Sequence, residues 1–136
     1  MRRRAPERRL LAEATLIVAI ARAALSIVPY GLLRRARRPV LRLVAKLPPA
    51  SGSAESLVAA VRAAARHVPG ASCLTQAIAL HLLLERRRIG SHLVVGVARH
   101  DGRFRAHAWV DRDGEVLLGG DIGRYNALLR LGRSAR

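Results

Sequence analysis

Two residues of this 136-residue chain stand where a thiol–imidazole pair could be assembled: its single cysteine, Cys73, and one of its five histidines, His107. Cys73 follows Ser72 at the expected start of a helix. There the first backbone N–H groups have no intrahelical acceptor, and the helix dipole favours negative charge. Both conditions favour the thiolate, the nucleophilic form of cysteine, and the same N–H groups could hold an oxyanion. Free cysteine is also among the most buried residue types, so position alone leaves a packing role open. His107 tips the balance. It lies in Arg105-Ala106-His107-Ala108-Trp109-Val110, an expected strand, on a face shared with Arg105 and Trp109. Because that strand is a separate element from the Cys73 helix, the fold can bring imidazole to thiol, as such a pair requires. His81 sits two turns along the Cys73 helix itself, too far to act as base. His67, His92 and His100 read as ordinary surface or edge residues.

An acid usually fixes the imidazole tautomer in such a pair. Asp111, Asp113 and Asp121 are the candidates. Asp113 belongs to an Arg-Asp-Gly turn and is most simply a turn former. Asp121 follows the next strand, after Gly119-Gly120, so an antiparallel return could carry it back towards His107. Asp121 is therefore the favoured third residue, with Asp111 at the outgoing end of the His107 strand as the fallback.

The elements that must position these residues change character along the chain. Residues 9–28 have helical periodicity, with Leu10, Ala14, Ile17, Ala21 and Ala24 recurring on one side and Glu13 and Arg22 elsewhere. Pro29 and Gly31 break that run, and a second helix is expected over 32–47. Pro48-Pro49-Ala50-Ser51-Gly52-Ser53 is a turn or linker, and Ser53 can cap a helix over 54–67. Ser72 caps the next, over 73–87. From Ile89-Gly90 the period shifts from helical to alternating. Leu93 to Val97, Phe104 to Val110 and Glu115 to Leu118 read as three strands, joined by Asp101-Gly102 and Asp113-Gly114 turns. Residues 122–131 are expected to form a terminal helix or turn. Helices followed by an antiparallel meander imply an α+β domain: a helical lead-in over 1–50 packed on a core over 51–136, a single domain overall.

Composition bounds the function. One cysteine excludes an intrachain disulfide and a zinc site built on several cysteines, and it suits a reducing compartment such as the cytoplasm. No cofactor or metal is implied, and no glycine-rich phosphate loop is present. The formal charge is +16, nearly all arginine, since Lys46 is the only lysine. Such an excess suits an acidic partner, or merely a solvated surface. No zinc finger or aromatic stacking platform accompanies it, so nucleic acid is not expected. Glu13 and Arg22 interrupt the apolar N-terminal segment, which argues against a bilayer span but leaves weak membrane contact possible.

Ser72-Cys73-Leu74, Ala79-Leu80, Leu83-Leu84, Leu93-Val94-Val95-Gly96-Val97 and Ala106-His107-Ala108-Trp109-Val110 together resemble the protease half of the split B protein of lasso-peptide biosynthesis, a transglutaminase-like cysteine protease. The resemblance implies a transglutaminase-like or papain-like core and a leader peptidase, with Cys73 attacking the scissile carbonyl, His107 moving the proton and Asp121 orienting the ring. It also implies three partners: a ribosomally made precursor gripped through its leader, a small leader-binding recognition protein, and a separate ATP-dependent cyclase. Many relatives carry Asn-Asp after the strand that follows the histidine, where this chain has Gly119-Gly120-Asp121. Two other functions fit the same residues less fully. One is a transglutaminase-like acyltransferase or peptidase on another substrate. The other is a non-enzymatic basic adaptor for nucleic acid or anionic membrane, which would need neither Cys73 nor His107.

Overall fold

A computed structural model describes residues 5–27, 35, 39, 42, 46 and 48–133. In chain order they form helices α1 (Ala5–Ile27), α2 (Ala54–Ala65) and α3 (Cys73–Arg86), then strands β1 (Ser91–His100), β2 (Arg103–Arg112), β3 (Glu115–Leu118) and β4 (Asn126–Arg133). The helix expected over 32–47 falls almost wholly outside the described residues.

The three helices share one apolar core with one face of the sheet. Leu10, Ala14, Ile17 and Val18 recur every three or four residues on α1 and are buried. They meet Leu57, Val61 and Ala64 of α2, Leu80, Leu83 and Leu84 of α3, and Leu93, Ala108 and Val110 of the sheet. At the expected caps, Ser53 Oγ accepts from Ser56 N (3.2 Å) and Ser72 Oγ from Thr75 N (3.2 Å).

A polar clamp ties α1 to the far end of α3. Glu13 accepts from both terminal nitrogens of Arg87, at 2.7 and 3.2 Å. Glu13 also accepts from the Ala50 N–H (2.9 Å), while Arg87 donates to the carbonyls of Ala50 (2.7 Å) and Leu83 (2.9 Å). Both side chains are only 8 % exposed. What the sequence shows as a charge interrupting an apolar helix is thus a satisfied, nearly buried ion pair.

The sheet is antiparallel throughout, in the order β3-β2-β1-β4. Asp101 (φ 50°) with Gly102 (φ 76°), and Asp113 (φ 51°) with Gly114 (φ 81°), make the two hairpin turns. Paired left-handed residues match the right-handed twist of the flanking strands, which is why Asp-Gly recurs there. The C-terminal segment departs from expectation. Residues 126–133 form β4 rather than a helix or turn, pairing with β1 from Ser91↔Arg133 to Val97↔Asn126. An open edge on β1 outweighs the weak local preference of this segment. Since β3 and β4 occupy opposite edges, residues 119–125 cross the sheet to connect them.

His81 of α3 is buried, with Nδ1 3.0 Å from Ser91 Oγ and Nε2 3.3 Å from Glu85. Burial pushes its imidazole below the ordinary value of 6.5, the Glu85 carboxylate pulling the other way and His92 adding to the depression. A depressed histidine makes the unfolded chain the better proton acceptor. Stability is therefore held above the unfolded value and lost as pH falls through it, below about 6.5. Urea midpoints compared at pH 7.5 and 5.5 should show a drop that His81→Gln reduces. An equal drop in the variant would assign the acid sensitivity elsewhere.

Candidate active site

Cys73 is the first residue of α3, and its side chain is exposed rather than sunk in the core. The cap explains its surroundings. Ser72 is extended (φ −82°, ψ 174°); its hydroxyl takes the Thr75 N–H and its carbonyl the Gln76 N–H, at 3.0 Å. The Cys73 and Leu74 N–H groups are left ahead of the intrahelical ladder, as the first donors of any helix are. A thiol on this turn stands beside unspent donors and the positive end of the dipole.

His107 lies at mid-strand on β2, opposite Gly96 of β1, and is half-buried. Alternation sends His107, Trp109 and Asp111 to one face of β2, and Ala108 and Val110 to the face that meets the helices. The crossing segment 119–125 covers the His107 side. Its Tyr125 ring lies 5.0 Å from the imidazole between centroids, and Trp109 is 6.1 Å from His107 and 6.3 Å from Tyr125. Two glycines make room for Trp109. A Cβ at Gly96 would come within 2.7 Å of the indole Cη2, and one at Gly119, whose φ is +131°, would overlap Trp109 Cβ.

The partner of the imidazole is not the expected carboxylate. His107 Nε2 lies 2.6 Å from the Gly119 carbonyl oxygen. A carbonyl can only accept, so Nε2 carries the proton and donates it. In the neutral ring that leaves the lone pair on Nδ1, which has no hydrogen-bond partner among the described residues. This is the tautomer a general base needs, fixed by main chain. Asp121 is exposed, and its Oδ1 accepts from the Gly123 N–H at 2.9 Å, closing a turn two residues beyond Gly119. Asp111, the fallback acid, is buried under Arg130 (2.9 Å) and His92 (3.4 Å), in a ladder across three strands.

The fold thus gathers His107, Trp109, Gly119 and Tyr125 into one cluster, with Asp121 shaping the loop beside it. Cys73 stands on the end of a separate element, and no hydrogen bond joins it to His107 among the described residues. Gly119 was not foreseeable as a functional residue, because a main-chain acceptor carries no side-chain signature. The Gly119-Gly120 pair after a strand was its only trace. Among the described residues no group of three or more His, Cys, Asp or Glu could hold a metal ion, and no helix is long and apolar enough to cross a membrane.

No curated protein and no solved structure matches the chain significantly. A family model does, over residues 14–130, and it spans both the helical lead-in and the sheet. Its description, Transglutaminase-like superfamily, agrees with three helices packed on a small four-stranded antiparallel sheet. Members of that superfamily are typically cysteine-protease-like enzymes. With the match covering most of its length, the chain belongs to the transglutaminase-like superfamily.

Proposed function

We propose that the chain is a cysteine peptidase that removes the leader from a ribosomally made lasso-peptide precursor. The carrying observation is the family match together with an exposed thiol at a capped helix start; His107, with Nε2 committed to Gly119 and Nδ1 open, is the candidate base, projecting from the face of β2 opposite the helices. In this reading His107 Nδ1 takes the proton from Cys73, the thiolate adds to the scissile carbonyl, and His107 returns the proton to the leaving amine. The Cys73 and Leu74 N–H groups supply candidate donors to the oxyanion. Water then releases the leader from Cys73 as a free acid. The resemblance over Ser72–Asp121 supports the precursor as substrate, and the arginine excess suits an acidic leader or its recognition protein. A separate cyclase would consume the freed core amine. The single-cysteine composition suits the cytoplasm.

Asp121 enters as a positioning residue, holding the 119–123 turn through Gly123 rather than touching the imidazole. Asp121→Asn keeps the accepting oxygen and is expected to leave kcat/KM on the precursor nearly unchanged. An acid that oriented the ring directly would cost about 10⁴-fold on the same change. Loss on that scale would return the orienting role to the carboxylate.

The assignment is tested by alkylation. Iodoacetamide should add one carbamidomethyl group, on Cys73, the chain's only thiol, and precursor cleavage should fall in step with the labelled fraction. A fully alkylated chain that still cuts the precursor would end the cysteine-peptidase reading.

A further inference from the structure

Among the described residues, strand β4 leaves an unpaired backbone edge and exposed apolar side chains together. It ends the sheet, with β1 on one side and no strand on the other among the described residues. Such an edge presents a row of unpaired N–H and C=O groups, and natural proteins usually blunt it with prolines, inward charges or a covering element. Here the eight residues Asn126–Arg133 include no proline, and one register shift, opposite Val95 and Gly96, interrupts the strand. Leu128, Leu129 and Leu131 are 70 %, 49 % and 47 % exposed. Leu129 and Leu131 pair with Val95 and Leu93, and Leu128 is the extra residue where the register shifts between Val95 and Gly96, so the edge offers exposed apolar side chains along its length.

The same edge is linked to the His107 cluster. His107 pairs with Gly96, and Gly96 pairs with Ala127 at the start of β4. Tyr125, which touches the His107 ring, immediately precedes the strand. With strands ~4.8 Å apart, a segment added beyond β4 would lie about 14 Å from β2. At ~3.3 Å per extended residue, roughly five residues would carry the chain from that edge to the imidazole. The charge at and just before the strand is positive. Arg124 is exposed, and Arg130 keeps half of its side chain in solvent while it covers Asp111. Asp121, the nearby exposed carboxylate, is turned into its own loop.

We infer that the free edge of β4 binds an extended acidic peptide as an added fifth strand, holding the substrate some five residues from the bond to be cut. This rests on the peptidase reading and names how its substrate is held. Main-chain pairing supplies affinity, apolar side chains of the peptide seat on the exposed leucines, and its carboxylates face the arginines.

Binding is measured by fluorescence anisotropy on the full-length Cys73→Ala chain, so that nothing is cut. The probe is a fluorescein-labelled peptide of eight residues alternating Val and Glu. Three comparisons accompany it: the same peptide N-methylated at every second amide in the frame that pairs, the Val-Lys analogue, and the chain with Leu128→Glu. Leu128 is exposed, so that change does not threaten the core. The Val-Glu peptide is expected to bind saturably. N-methylation and Leu128→Glu should each weaken it at least tenfold, and Val-Lys should not bind. Equal affinity for the N-methylated peptide would mean charge attraction without strand pairing and would overturn the proposal. So would absent peptide binding in a chain that sedimentation shows to be a dimer dispersed by Leu128→Glu, since the edge would then belong to a second copy. Cleavage of a short peptide spanning the scissile bond is assayed in parallel with the wild-type chain. If that fails while edge binding persists, the peptidase reading falls and the docking surface stands.

Discussion

Cys73→Ala is expected to abolish precursor cleavage while the melting temperature stays where it was. Two features of the helix start separate the effects. The thiol is exposed, so trimming it opens no cavity in the core. The cap that starts α3 is made by Ser72 and Thr75, so the helix does not depend on the side chain between them. Activity, in contrast, is expected to depend on it entirely, because Cys73 carries the chain's only thiol. His107→Ala should leave a slow residual reaction, about 10²- to 10⁴-fold below wild type, the usual weight of a general base. The two variants together should be no worse than Cys73→Ala alone, since residues that act as a unit are not additive. The measurement is cleavage of the precursor followed by mass spectrometry, with thermal melts on the same samples. Normal cleavage by Cys73→Ala would remove the enzyme reading and put the basic adaptor first.

The second large effect is on stability. Glu13→Ala is expected to cost about 3–5 kcal/mol, because it strands the Arg87 guanidinium in a nearly dry site while also removing the acceptor of the Ala50 N–H. A natural domain has only about 5–15 kcal/mol in hand, so a fall in melting temperature of roughly 10 °C or more should follow. Arg87→Ala should cost less, because Glu13 keeps Arg86 at 3.6 Å and the Ala50 N–H, and the double variant less than the two single changes together, because the partners are coupled. Urea titration of the three chains checks this. A loss under about 1 kcal/mol for Glu13→Ala would mean that the pair is solvated in practice.

What could be read in advance followed from local chemistry. Ser72 before a helical run, two Asp-Gly turns and the alternation around His107 each announce themselves within a few residues, and the corresponding elements are present. What could not be read depends on partners distant in sequence. Asn126–Arg133 is a strand because β1 offers an edge; its own leucines do not alternate with polar residues. Glu13 and Arg87 look like charges on two separate helices until the fold joins them across 74 positions. Carboxylates are the acceptors a sequence displays, whereas the His107 ring is held by the Gly119 carbonyl, which no side chain announces.

That last feature bears on how the site tolerates mutation. A carboxylate that orients a histidine can be lost by a single base change. A main-chain carbonyl cannot be deleted by any substitution; it can only be moved. The vulnerability therefore passes from an acid to the residues that set the path of the chain. Trp109 fixes how close the 119–125 segment may lie, and Gly96 and Gly119 exist in their present form because the indole leaves no room for a Cβ. Random mutagenesis scored for activity should accordingly cluster its losses at these three apolar or side-chain-free positions, and pass lightly over the aspartates around them.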